Sequence, residues 1–147
     1  MYWLLSTDNQ KGGWVSPVYS QAKSVFDLFV TMGKDLITAS NRMETTITFV
    51  NGSTIKFLSS DSPDSIRGFR FTHLVLDETA FMKENAIAQA IIPTLNPNGK
   101  KCLMISTPKG RNHFYNWYLK EDVVSMSFPL TQSPKHCLLY TSDAADE

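Results

Sequence analysis

Two adjacent carboxylates follow a short apolar run in the middle of the sequence. Asp77 and Glu78 come directly after residues 74–76, Leu-Val-Leu, which have the character of a buried strand. In open α/β sheets, ligands bind beyond the carboxyl ends of the strands. Nucleotide hydrolysis needs one carboxylate for the Mg²⁺ shell and another that polarises the attacking water. The pair therefore suggests Asp77 for the metal and Glu78 for the water, with a solvated acidic turn as the alternative.

A second apolar run ends in small hydroxyl side chains. Ser106, Thr107 and Pro108 follow residues 102–105, one helix-like segment after the acidic pair. Hydroxyls at the end of a neighbouring strand are suited to sensing a γ-phosphate, directly or through a water. Ser-Thr-Pro is also a common way to end a strand, so the hypothesis depends on the position of this segment after the acidic one.

A polar loop that leads into the acidic strand contains Arg67 and Gly68. Arginine is well suited to bidentate contacts with phosphate, and glycine would allow a sharp backbone turn beside it. The alternative is an arginine that is simply solvated in a surface turn.

The elements that must position these residues alternate between short apolar runs and helix-like segments, which predicts an α/β fold with a mainly parallel sheet. We predict a strand at residues 14–16, a helix at 21–32, buried central strands at 73–76 and 102–105, and a helix at 84–95. The turn-forming residues 96–99 should end that last helix.

A β-hairpin is predicted between the first helix and the acidic strand. Ile47 and Phe49 alternate with threonines, and Ile55 alternates with polar residues on the return strand. Asn51 and Gly52 between them should supply the two positive-φ residues of a tight turn.

The composition is that of one globular domain, since 42% of the 147 residues are hydrophobic and 19% are charged. No apolar run approaches the ~18 residues of a membrane-spanning helix, so we expect a cytoplasmic protein without a membrane partner. The two cysteines predict neither a disulfide framework nor a zinc site. The 14 basic residues balance the 14 acidic ones, which gives no argument for nucleic acid.

The last eleven residues, 137–147, resemble one reading frame of a transposon-end adapter used in sequencing libraries. We therefore exclude them from fold reasoning and expect residues 1–136 to be the native part. Without Asp143, Asp146 and Glu147, the acidic residues fall from 14 to 11 and the formal charge becomes +3. The alternative is a natural acidic C-terminus.

The three polar features, in this order and preceded by residues 14–23, resemble the large subunit of tailed-phage terminases. Residues 51–53, 65–68 and 106–114 repeat the motifs of that family closely. The resemblance implies a RecA-like P-loop NTPase sheet with an inserted β-hairpin. It also implies an ATP hydrolase that uses ATP and Mg²⁺ to drive double-stranded DNA into a procapsid.

The resemblance also implies roles for individual residues. Within it, residues 74–78 match the Walker B segment, with Asp77 as the Mg²⁺ and nucleotide residue and Glu78 as the catalytic carboxylate. The coupling motif, which links hydrolysis to DNA movement, is matched by its three residues Ser106, Thr107 and Pro108. Arg67 matches the position of an arginine finger that acts on a neighbouring subunit. The implied partners are DNA, the portal protein, the small terminase subunit and further copies in a ring, all in the host cytoplasm.

Two parts of the family pattern are absent from this sequence. The phosphate-binding loop, which ends in Gly-Lys-Ser/Thr, should lie upstream of the helix end predicted at residues 1–6. The nuclease domain should follow Pro134. We therefore expect a fold that is incomplete at both ends and a chain that is inactive alone. A helicase core, or a catalytically silent module that binds small terminase, portal or DNA, remains an alternative.

Overall fold

Six strands form one sheet in the computed structural model, which describes residues 2–95 and 101–129. The strands are β1 (Lys11–Ser16), β2 (Ile37–Asn41), β3 (Thr46–Phe49), β4 (Thr54–Ser59), β5 (His73–Leu76) and β6 (Lys101–Met104). Their order across the sheet is β2-β3-β4-β1-β5-β6. β1 lies parallel to both β4 and β5, β5 is parallel to β6, and β2, β3 and β4 are antiparallel. The predicted α/β class, with a mainly parallel sheet and a β-hairpin, is confirmed.

The helices are α1 (Tyr2–Leu5), α2 (Tyr19–Met32), α3 (Pro63–Ile66), α4 (Glu84–Ala86) and α5 (His113–Tyr118). The predicted helix at 84–95 is present, but α4 continues as a π-helix over Ile87–Ile91 and a 3₁₀ turn over Ile92–Thr94. Pro93 has no N–H for a regular helical hydrogen bond, which accounts for the change of helix type beside it. Among the described residues, no helix has the length and apolar character needed to cross a membrane.

Each face of the sheet carries its own buried cluster, because alternate residues of a strand point to opposite faces. On β4, Ile55 and Phe57 pack with α2, and Leu58 packs on the other face. The α2 side also includes Leu4, Ala22, Phe26, Ile47 and Phe49. The opposite side includes Val15, Ile66, Phe71, Leu74, Leu76, Met82, Ile87 and Ile91. These clusters fix β1 and β5, the strands that lead to the candidate site.

One predicted central strand lies at the edge of the described sheet. β6 pairs with β5 alone among the described strands, and Leu103 remains 38% exposed. The prediction of a strand covered on both faces is therefore correct for β5 and wrong for β6. An apolar run indicates the capacity for burial, whereas actual burial depends on which elements lie alongside.

The hairpin between β3 and β4 has a three-residue loop in place of the predicted two-residue turn. The N–H of Gly52 donates to the Phe49 oxygen at 3.0 Å, and the Phe49 N–H donates to the Ser53 oxygen at 2.8 Å. Within this loop, only Gly52 has a positive φ, 75°. Asn51 acts through its side chain, whose amide nitrogen donates to the carbonyl oxygen of Leu4 at 2.8 Å. The predicted hairpin is thus confirmed, and its predicted turn type is wrong.

Two predicted features fall outside the described residues: the turn at 96–99 and the appended tail at 137–147. The chain divides into two compact units, Met1–Tyr115 and Asn116–Glu147. The whole sheet belongs to the first unit.

Candidate active site

The site begins where β5 and β6 end side by side. Leu76 and Met104 are paired in the parallel register of these strands. Beyond them, the Ile105 N–H donates to the Leu76 oxygen at 2.8 Å, and the Asp77 N–H donates to the Val15 oxygen at 2.9 Å. The residues after both strands therefore meet at the carboxyl edge of the sheet, as expected for a ligand-binding edge.

The structure brings Glu78 together with the two predicted hydroxyl residues. Oε2 of Glu78 accepts hydrogen bonds from the backbone N–H of Thr107 at 3.3 Å and from Thr107 Oγ1 at 3.1 Å. Ser106 Oγ lies 3.3 Å from the same oxygen. Pro108 follows in an exposed segment. The hydroxyls thus hold a carboxylate, a contact that differs from the phosphate contact considered from the sequence.

Glu78 has an unusual backbone conformation for a residue other than glycine. Its φ and ψ are 52° and 45°, in the left-handed region. Such a conformation is sparsely populated and persists when surrounding contacts over-determine it. The next residue supplies such contacts: Thr79 N–H donates to the Ile105 oxygen at 3.0 Å, and Thr79 Oγ1 donates to the Leu76 oxygen at 2.9 Å.

Asp77 lies beside Glu78 in a half-buried position. Burial, and then the negative charge of Glu78, raise the pKa of Asp77 above its ordinary value of 3.8. The Trp14 side chain and the Glu78 backbone act in the opposite direction. The indole nitrogen of Trp14 is itself buried and has no hydrogen-bond partner of good geometry among the described residues. A cation at this point would offset both causes of the raised pKa.

The described residues are compatible with a magnesium ion that takes most of its ligands from substrate phosphates and water. They contain no cluster of three or more His, Cys, Asp or Glu side chains that could enclose a metal. Mg²⁺ needs no such cluster, because it is commonly bound by one or two carboxylates together with waters and substrate phosphates. Asp77 could supply one such oxygen ligand, since burial and the neighbouring Glu78 disfavour its charge in the absence of a cation.

Arg67 lies directly after α3. Its side chain is 55% exposed, and Nε is 3.1 Å from Oδ1 of Asp64. Arg67 lines an open cleft of about 340 Å³, together with Phe81 and Lys83. Phe81 is the last residue of the turn that follows Glu78. The cleft is therefore lined by a residue that is close to Glu78 in the sequence.

Gly68 lies in the predicted turn beside Arg67, where the N–H of Phe69 donates to the Ile66 oxygen at 3.1 Å, but the turn does not require glycine. Its φ is not positive, and an added Cβ would meet no atom within 4 Å. A larger residue would fit there, so the backbone at this point does not depend on glycine.

Sequence reasoning missed two residues that hold the turn after Glu78. Asn112 Nδ2 donates to the Ala80 oxygen at 3.1 Å. His113 Nε2 lies 3.0 Å from the Thr79 oxygen, which can only accept, so this nitrogen carries the proton. The sequence signal that could have identified Asn112 is its position directly before a short helical segment, because asparagine is a favoured helix N-cap.

Known proteins resemble this chain in sequence and in structure. Residues 2–131 match the family model described as terminase large subunit, T4likevirus-type, N-terminal. The terminase large subunit of Thermus phage G20c is 43% identical over 61 residues, which cover 42% of this chain and 13% of that protein. This chain therefore spans a small part of that relative.

Two solved structures have a similar fold. The large terminase ATPase domain of Thermus Phage P74-26 superposes with a TM-score of 0.68 and 27% identity, covering 80% of this chain and 55% of that one. The large terminase of a thermophilic bacteriophage, in complex with ATP-gamma-S, has a TM-score of 0.54 and 16% identity, covering 71% and 26%. The predicted RecA-like sheet is confirmed by these similarities of fold.

Proposed function

Since the chain belongs to the T4likevirus-type terminase large subunit family, we propose that residues 1–136 are part of an ATPase domain that drives double-stranded DNA into a phage procapsid. The observation that carries the proposal is the arrangement of Asp77 and Glu78 at the sheet edge, where Ser106 and Thr107 hold the Glu78 carboxylate. The whole subunit would include a phosphate-binding loop upstream and a nuclease domain downstream. We call that longer chain the restored subunit.

In this proposal, the two carboxylates have different tasks. Asp77 would hold Mg²⁺, which supplies positive charge to the phosphates when bound. Glu78 polarises the attacking water and accepts its proton at a carboxylate oxygen. The donors on Oε2 orient the carboxylate, while the strand exits keep it beside Asp77. Orientation of this kind contributes to rate because the reacting groups need little rearrangement.

Arg67 is proposed to act on the nucleotide of a neighbouring subunit in a ring. Its exposed guanidinium and its position on an open cleft support a contact with a second copy. The exposed ion pair with Asp64 is not an obstacle, because such pairs contribute only about 0–1 kcal/mol. The portal protein and the small terminase subunit are further proposed partners, in the host cytoplasm.

ATP hydrolysis by the restored subunit tests this assignment. Glu78→Gln keeps the size and hydrogen bonding of the side chain but removes the charge that polarises water. We expect bound ATP to persist, with turnover reduced by on the order of 10²–10⁴-fold. Glu84→Gln, which changes an exposed glutamate on α4, is the matched control and should keep parental turnover. Parental turnover in the Glu78 variant would move the catalytic role elsewhere.

The same assay tests Arg67. Arg67→Ala should lower turnover by ~10³ or more, whereas Arg42→Ala, at an exposed arginine on a different loop, should not. Subunits that carry Arg67→Ala still have Glu78, so mixing them with Glu78→Gln subunits should restore complete sites at some interfaces. A mixture no more active than the sum of its parts would exclude action on the neighbour. A parent that never hydrolyses ATP would favour the silent binding module, and DNA strand separation would favour the helicase core.

A further inference from the structure

Asn112 connects two separate parts of the candidate site. Its Oδ1 accepts from the N–H of Phe114 at 3.1 Å and from the N–H of Tyr115 at 3.3 Å, so it caps the first turn of α5. Its Nδ2 donates to the carbonyl oxygen of Ala80, 32 residues earlier in the chain. One side chain therefore holds both the start of α5 and the turn after Glu78.

The orientation of the Asn112 amide follows from its partners. Backbone N–H groups can only donate and a carbonyl oxygen can only accept. The oxygen of the amide must therefore face α5 and the nitrogen must face Ala80. Both ends are used in a single rotamer, and a flipped amide would lose all three contacts.

Ala80 is held on both sides. Its N–H donates to Ser106 Oγ at 3.1 Å, and its carbonyl oxygen accepts from Asn112. Ala80 is only 5% exposed, which makes an unpaired carbonyl there costly. The preceding carbonyl, that of Thr79, accepts from His113 in the same way. Hydrogen bonds thus hold both Thr79 and Ala80 of this turn to the segment after β6.

We propose that Asn112 is a positioning residue for Glu78. Glu78 begins this turn in a left-handed conformation that needs outside contacts to persist. Asn112 holds the Ala80 carbonyl and thereby keeps the turn after Glu78 in place. Because the same side chain caps α5, the position of the Glu78 carboxylate depends on the position of the first turn of α5. A shift of α5 would consequently move Glu78 relative to Asp77. The inference rests on the proposed catalytic role of Glu78.

Three substitutions at Asn112 separate positioning from capping. Asn112→Ser and Asn112→Asp keep an oxygen that can cap α5 but remove the amide donor to Ala80. Asn112→Ala removes both functions. Asn41→Ser is the matched control, since Asn41 Oδ1 accepts from two backbone N–H groups in a turn on the far side of the sheet. ATPase kinetics and thermal unfolding are measured for each variant of the restored subunit.

A positioning role predicts a loss of rate without a loss of binding. The Ser and Asp variants should lower kcat by on the order of tenfold to a hundredfold, with KM for ATP unchanged, as expected when a reacting group is displaced. All three variants leave the Ala80 carbonyl without its donor and should melt earlier than the parent, and Asn112→Ala should melt earliest because it also loses the cap. Asn41→Ser should keep parental kcat.

The outcomes distinguish this inference from the function on which it rests. Parental kcat in the Ser and Asp variants, with a lowered melting temperature in Asn112→Ala, would reduce Asn112 to a helix cap. If Glu78→Gln is inactive in that same experiment, the proposed function stands and only the positioning role fails. Full activity in Glu78→Gln would instead contradict both.

Discussion

Asp77 and Glu78 are neighbours with different surroundings, and this difference has a measurable consequence. Asp77 has a raised pKa because it is half-buried and next to another carboxylate, whereas Glu78 is held by donors from the segment after β6. A carboxyl group with a raised pKa binds its proton more readily in the folded chain than in the unfolded one. Ionisation of Asp77 therefore lowers the free energy of unfolding.

We expect Asp77→Asn to stabilise the 147-residue chain at neutral pH. The stability that the protonated carboxyl gives the parent is fully present below the ordinary pKa of 3.8 and is lost as pH rises through the raised pKa. The variant should consequently melt at a higher temperature than the parent at pH 7, and the difference should vanish below about pH 3.8. Thermal unfolding across this range, with the exposed Asp61→Asn as control, is the measurement. A variant that melts earlier at pH 7 would show that the charge stabilises the fold.

The residue types predicted which side chains meet at the sheet edge, but they did not predict which atoms those side chains contact. Acidic and hydroxyl residues after two apolar runs suffice to predict that Glu78, Ser106 and Thr107 lie at one sheet edge, because parallel strands end on the same side. The sequence could not predict which groups the hydroxyls contact, since this depends on side-chain orientation. Asn112 was missed because its partner, Ala80, has no side chain that indicates chemistry.

At the scale of elements, patterns of alternation predicted more than single turn residues did. The hairpin was predictable from alternating apolar residues, because its buried face must pack on α2. Its turn type was not, because a three-residue loop with one positive-φ glycine is also compatible with Asn51-Gly52. Gly68 shows the opposite case, because its predicted turn is present but the glycine has open space around it and is not required. β6 shows that strand position depends on neighbours in the sheet.

The two glycines provide a matched test at this scale. Gly52→Ala should destabilise the chain by about 1–3 kcal/mol, because alanine is strained at this positive φ. In addition, its Cβ would lie 2.5 Å from Asn9 Oδ1. Gly68→Ala should be neutral or should stabilise by about 0.4–1 kcal/mol, since nothing opposes the methyl group. Urea unfolding of both variants measures the difference, and equal stabilities would contradict the described hairpin loop.

At the scale of the whole molecule, the parallel strands bring the candidate carboxylates to one edge of the sheet, and Arg67 is exposed on a cleft that those carboxylates do not line. This division suits the proposed ring, in which one subunit supplies the carboxylates and another the arginine. The sheet and its family could be predicted from the sequence, because apolar periodicity and several short motifs agree along most of the chain. The partners follow from the family resemblance alone and stay predictions.

Packaging of double-stranded DNA tests the central claim most directly. Restored subunits are combined with procapsids that carry the portal protein, and the DNA protected from nuclease is measured as ATP is consumed. We predict that the parent and Glu84→Gln protect DNA, whereas Glu78→Gln binds ATP but protects none, because movement requires hydrolysis at this carboxylate. DNA entry at the parental rate with Glu78→Gln would contradict the account.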